Sequence, residues 1–283
     1  MTTTAPPSQQ GTVPDTVFPT WFIPHGGGPC FFMDWQQMGG PADTWDKMAA
    51  WLRGLAATLP AKPKAIVVIS GHWEEDVFTA STAAAPSMIY DYTGFPPHTY
   101  ELQYPAPGAP DVAARIVALL KDAGLAAETS ASRGFDHGIF IPLLLIFPDA
   151  DIPVVPLSLT RDLDPEAHLK AGQALQALRE EGVLIIGSGM SYHNMRAFRT
   201  PAATAPSEAF DQWLTDTISD EDAESRWSGL VHWADAPAAR NAHPREEHLL
   251  PLMVAAGAAG KAPGERVFSD VAMAAHLSGF RFG

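Results

Sequence analysis

The sequence predicts an α/β fold, a single domain with a mostly parallel central sheet flanked by helices. Two observations carry this expectation. Short Val- and Ile-rich runs bounded by Gly or Pro alternate with longer segments whose apolar residues recur at helical spacing. The runs are also apolar throughout, as strands covered on both faces are. With 283 residues, 46% of them hydrophobic, the chain can bury one large core, and no repeat or internal linker divides it.

Residues 1–18 are rich in Thr, Pro, Ser and Gln without apolar periodicity, which predicts a disordered or loosely docked arm ahead of a catalytic domain over 19–283. Strands are expected at Thr20–Ile23, Ala65–Ser70, Val77–Thr82, Ile152–Leu159 and Val183–Gly187. Helices are expected at Asp43–Leu59, Asp111–Ala123, Pro165–Glu181, Ser207–Ile218 and Arg245–Ala259, with Asp43, Asp111, Asp164 and Ser207 as caps or first-turn acids. From Pro86 to Pro110 a proline- and aromatic-rich stretch follows neither period and reads as a structured loop over the sheet, of the kind that walls a site.

A net charge of −14 without a basic cluster argues against nucleic acid and anionic membranes, both of which demand concentrated Lys and Arg. No long apolar run and no leader-like start are present, so a soluble cytoplasmic protein is expected. Cys30 is the only cysteine, which excludes an intrachain disulfide and reads as a small buried hydrophobe. A homo-oligomer is compatible with the sequence.

Histidines stand at the ends of the apolar runs. His25 follows TWFIP and opens into HGGGP, His72 follows AIVVIS, and His193 follows VLIIGSG. In open α/β sheets ligands gather beyond the carboxyl ends of strands. A hydrogen-bonded loop or core residue is the simpler reading of any one of them, but three equivalent junctions point to one site. Imidazole suits Fe, Zn, Cu or Ni rather than Mg or Ca. His248 in REEHLLPL is a fourth candidate, and either it or Glu247 can complete the shell. Two histidines with a carboxylate serve non-haem iron, and three histidines with water serve zinc. Glu246 and Glu247 also read as first-turn acids of a helix. His137 in GFDHGIFIPL, with Asp136 to orient it and Gly138 to admit a ligand, reads as an acid/base or oxygen-contacting group.

The strings IPHGGGP, AIVVISGHW, DYTGFPPHTYELQYPAPG, GFDHGIFIPLLLIFPDADIPVVPLSL, VLIIGSGMSYHN and EEHLLPLMVAAG follow one another from Phe22 to about Gly260. In series they resemble the class III extradiol dioxygenase superfamily, in particular its 4,5-DOPA dioxygenase-like branch. The resemblance implies a mononuclear iron(II) site, with zinc(II) as the alternative, held by His25, His72 and His248, and Glu247 in reserve. It implies His193 as the base that accepts a phenolic proton, or as an additional metal contact, and His137 as the second acid/base group. The reaction implied is insertion of both atoms of O2 into a catechol, DOPA-like or similarly substituted, without an organic cofactor. His98, Tyr100 and Tyr104 in the proline-rich loop are expected to cover the ring, and Arg133 or Arg196 to pair with a substrate carboxylate. Two departures bear on the pocket: the first motif has three glycines and Cys30, and an inserted helix carries Trp35, Trp45 and Trp51. Two rival readings use the same residues. One is a zinc hydrolase, which oxygen consumption separates. The other is a non-enzymatic interaction protein, which the full histidine set disfavours.

Overall fold

The computed structural model describes residues 17–283. The strands are β1 (Thr20–Pro24), β2 (Ala65–Glu75), β3 (Phe78–Ser81), β4 (Ala127–Ser130), β5 (Val154–Thr160), β6 (Val183–Gly189), β7 (Gly264–Ala272) and β8 (Ala275–Phe282). They form one sheet in the order β4-β3-β5-β2-β6-β1-β8-β7. The pairings β3/β4, β2/β5, β2/β6 and β1/β6 are parallel, whereas β3/β5, β1/β8 and β7/β8 are antiparallel. The helices are α1 (Asp46–Leu55), α2 (Pro110–Asp122), α3 (His137–Ile146), α4 (Pro165–Ala174), α5 (Ala177–Glu180), α6 (Thr204–Ser219), α7 (Ala223–Val231), α8 (Ala239–Ala242) and α9 (Leu250–Ala258). No helix among the described residues is long and apolar enough to cross a membrane.

The α/β expectation holds, and the central strands lie where their β-branched runs put them. The rest needs correction. The arm expected over 1–18 falls outside the described residues except for its end. There, Phe18 is buried and exchanges hydrogen bonds with Arg179, so docking begins before residue 19. Helix α1 starts at Asp46 rather than Asp43. The three tryptophans of the inserted segment are divided between a short 3-10 turn (Trp35–Met38), the residue before α1 and α1 itself. The helix expected over 165–181 breaks into α4 and α5. Asp164 caps α4 through the amide of Glu166, but Ser207 lies inside α6 and donates to the carbonyl of Thr204. Helix α9 begins at Leu250, five residues later than expected, which leaves 245–248 as a turn.

Three strands and three helices, α3 and the shorter α7 and α8, gave no signal. Strand β4 is short and carries exposed Glu128 and Thr129. The β7/β8 hairpin turns on Met273 and Ala274, both at positive φ (52° and 65°), where Asn-Gly would have marked the turn. Helix α3 is apolar on every side and contains Pro142, so it shows neither period nor helical composition.

Helix α3 and the α9 segment lie on opposite faces of β6, because successive strand residues point to opposite sides. A Cβ on Gly187 would stand 2.2 Å from the Pro251 carbonyl, and one on Gly189 would stand 2.1 Å from the His248 carbonyl. Only glycine lets the His248 turn lie this close. On the other face, the hydroxyl of Ser188 donates to the carbonyl of Gly138. That carbonyl is the one an amide at position 142 would have bonded, and Pro142 has no N–H to give. The proline therefore frees an acceptor that fastens α3 to β6.

Candidate metal centre

His25 follows β1, and its amide continues the ladder by donating to Gly189. His72 lies within β2 rather than beyond its end, at the register break between Ile69 and Glu74. His248 is in the turn held against Gly189. Their imidazoles meet: His72 Nε2 lies 3.1 Å from His25 Nε2 and 3.2 Å from His248 Nε2. The donor atoms of all three lie within 4.8 Å of one another, a group that could hold a metal ion.

Hydrogen bonds on the far side of two rings decide their tautomers. Ser188 gives its proton to Gly138 and so accepts from His25 Nδ1 at 3.1 Å. His248 Nδ1 donates to Glu247 Oε1 at 3.0 Å. Each Nε2 is then an unprotonated acceptor facing the others. Burial holds His25 and His248 well below the usual imidazole range, and burial together with neighbouring His137 brings His72 down to about 3. Neutral lone pairs converging in this way repel unless a cation lies among them. Donors roughly 2.0–2.1 Å from a shared ion stand about 2.9–3.4 Å apart, so the observed separations fit a transition metal.

Two carboxylates stand behind this group. Asp91 Oδ1 is 2.7 Å from His137 Nδ1, and its other oxygen is 3.7 Å from His72 Nδ1. Burial alone would raise the Asp91 carboxyl, but the hydrogen bond and charge of His137 bring it to about 2. Glu247 Oε1 takes the Nδ1 of both His248 and His193, at 3.0 and 3.2 Å. Burial opposes its ionisation, and the bond from His193 keeps it below the usual carboxylate range. Glu247 therefore sits behind His248, not among the three Nε2 atoms. The rings of His193 and His248 stack with centroids 3.4 Å apart, and His137 lies 4.0 Å from His72. His193 and His137 thus flank the centre, each tied by one carboxylate to one member of the trio.

Asp136 was expected to orient His137 and does not. It is fully buried, paired with Arg133 at 2.5 Å and with Ser70 at 2.7 Å, and Ser70 in turn holds the amide of His72. Its role is to fix the break in β2. A Cβ on Gly138 would fall 2.6 Å from Ser70 Oγ and 3.0 Å from His72 Cδ2, so glycine is needed there for His72 to approach.

Residues 19–280 match the family model described as the catalytic LigB subunit of aromatic ring-opening dioxygenase. The chain belongs to this family. It is 37% identical over 273 residues to "Dioxygenase tasH" of Hapsidospora irregularis, covering 89% of this chain and 81% of that protein. It is 39% identical over 252 residues to "4,5-DOPA dioxygenase extradiol" of Beta vulgaris (87% and 89%), and 36% identical over 210 residues to the protein of the same name from Escherichia coli (72% and 75%). A crystal structure titled as an uncharacterized protein, JW3007, from Escherichia coli K12 superposes with a TM-score of 0.74 at 28% identity, covering 94% of this chain and all of that one. The protein is a metal-using aromatic ring-opening dioxygenase of the extradiol type.

In this LigB-family dioxygenase a cavity of about 850 Å³ opens over the histidines, walled by Trp35, Tyr92, Phe95, Met190, Phe198 and Met273 among others. That volume suits a small aromatic substrate. None of the five residues expected to contact substrate is on its wall, and Arg133 is paired with Asp136. His98 is exposed and contacts the Phe32 carbonyl, and Tyr100 packs on Tyr92. Tyr104 is fully buried and donates to Phe147. Arg196 borders an outer pocket that shares His193 and Glu247 with the main one. The 3-10 turn at Pro97–Glu101 carries His98 and Tyr100 off the wall, while Tyr92 and Phe95 line it. Sequence reasoning also missed Asp91, Ser188 and Arg199. Asp91 and Tyr92 stand in the DYTGF string and Ser188 in GSG, whereas Arg199 had no signal.

The neutral, buried histidines make acid stability a test of this geometry. His25, His72 and His248, together with His168 and His243, all have folded values depressed chiefly by burial, His72 and His243 to about 3. The unfolded chain binds those protons more readily, so stability rises with pH between about 3 and 6.5. The metal-free protein is expected to have a lower urea midpoint at about pH 5.5 than at about pH 7.5. Equal midpoints would show that the folded state does not hold these rings neutral.

Proposed function

We propose that the enzyme cleaves a substituted catechol beside its diol, using iron(II) held by His25, His72 and His248. The observation that supports this most is the convergence of three unprotonated Nε2 atoms at the floor of an apolar cavity, flanked by two carboxylate-bound histidines. When bound, the metal supplies a common coordination point for the diol and O2 and the route for electrons between them.

The residues supply the proton chemistry. Glu247 accepts from His193 Nδ1, which leaves His193 Nε2 free to take a phenolic proton as the catechol enters. Asp91 does the same for His137, whose amide it also binds, so this ring is fixed by two bonds to one oxygen. His137 would then return a proton or contact the oxygen side of the site. The apolar wall excludes water and packs the ring, and relatives named for DOPA cleavage support a substituted catechol as the substrate class.

The test is oxygen uptake. Protein stripped of metal and reconstituted anaerobically with iron(II) is expected to consume equimolar O2 with a catechol and yield a yellow semialdehyde once air is admitted. Turnover of a hydrolysable substrate with zinc and no oxygen uptake would overturn the iron and catechol assignment.

A further inference from the structure

The cavity wall carries an unbalanced charge. Glu74 is held by Arg245 through contacts of 2.5 and 2.6 Å, and Glu247 is shared by His193, His248 and Arg245. Arg199 is the only lysine or arginine among the described lining residues, and it makes no ion pair with any described carboxylate. Its guanidinium lies 5.3 Å over Trp35 and donates through Nη1 to the Met38 carbonyl, leaving its other N–H groups without a described protein partner. Nearby Lys47 is already engaged, at 3.3 Å from Asp270.

The backbone at Arg199 lies in the left-handed region. Arg199 has φ +67°, and its amide donates at 2.8 Å to the carbonyl of Met273. Met273 and Ala274 form the two-residue β7/β8 turn, both in the left-handed region that favours Asn or Gly. Three non-glycine residues in that region therefore meet at one point, and strain of this kind collects at functional sites. Trp35, Arg199 and Met273 also border the adjoining pocket, so the guanidinium stands where the histidine cavity meets the surface.

We propose that Arg199 is a specificity-determining residue that binds an anionic group, a carboxylate, on the side chain of the aromatic substrate. The proposal rests on reading the cavity as the catechol site. With the diol at the histidines and the ring against Trp35, Phe95 and Phe198, a carboxylate at the mouth meets a planar fork able to contact both oxygens. A chain of net charge −14 otherwise repels an anion, and Arg199 offsets that locally. An uncharged side chain gains nothing from it.

The test compares 3-(3,4-dihydroxyphenyl)propionate with its methyl ester, each titrated calorimetrically into zinc-loaded protein under anaerobic conditions. Wild type is expected to bind the acid about 10- to 100-fold more tightly than the ester, as a charged hydrogen-bonded pair does, and to lose that preference as salt rises. Arg199→Met should bring the preference close to unity with ester affinity unchanged, and Arg199→Lys should retain only part of it. No acid preference in wild type, a preference surviving in Arg199→Met, or equal weakening of both ligands overturns the proposal. The salt dependence tests it even if a variant does not fold. Oxygen uptake by iron-loaded wild type on the same pair separates the two readings. An Arg199-dependent preference without ring cleavage sinks the catechol reading alone, and cleavage of both without preference sinks the Arg199 assignment alone. Binding of neither ligand sinks both.

Discussion

Replacing His72 by alanine is expected to leave a folded protein that no longer takes up stoichiometric iron and whose ring cleavage falls by more than roughly 10³-fold. His72 is the middle donor, with its Nε2 3.1 Å from that of His25 and 3.2 Å from that of His248. Losing a partner that merely orients a ligand costs about 10- to 100-fold in affinity or activity, so losing a donor should cost more. The fold should survive, because the ring is half-buried at a break in β2 and the pairings on either side of it do not use the side chain. His25→Ala should behave alike in metal content. The check is metal analysis of both variants beside their far-UV spectra. Full occupancy in both would remove these residues from the ligand set and leave His193, Glu247 and His248 as the candidate group.

His193→Gln separates a base from a ligand. As a base held by Glu247, its loss should lower kcat by about 10²- to 10⁴-fold while metal content and catechol affinity stay near wild type. The ring is stacked on His248 without contributing to the converging Nε2 group, so its removal leaves the donors in place. Single-turnover kinetics and metal analysis on one preparation decide the matter. Metal lost in step with activity would make His193 a ligand, and an unchanged rate with full metal would pass the proton to His137.

Much of this was legible in the sequence, for reasons that can be named. Ala65–Ser70 and Val183–Gly187 are β-branched and buried on both faces, so composition alone marks central strands. His25 and His72 could be nominated because each stands beside a glycine at an apolar run, His193 because it follows VLIIGSG, and His248 from the REEHLLPL string. What stayed hidden depends on tertiary context. Nothing local says that Tyr104 will be buried in the core while Tyr92 lines the cavity wall. Asp91 stands in the proline- and aromatic-rich loop but gains its role only when α3 brings His137 to it across 46 residues. Asp136, adjacent in sequence to His137, looked like its partner, but its carboxylate is turned to Arg133 and Ser70 instead. Helix α3 was lost because a segment buried on all sides has no polar face to reveal its period.

The three converging imidazoles come from positions 47 and 176 residues apart in the chain. No fragment of the polypeptide can assemble them, and β1, β2, β6 and the turn before α9 must all be in register first. A partly folded chain would offer separate imidazoles, and the three-donor group forms only once these elements are packed together. Metal binding there would stabilise the folded state by mass action, by about 2.7 kcal/mol when free metal stands at 100 times its dissociation constant. An ion held by all three imidazoles would join the two ends of the domain and slow the openings that part them.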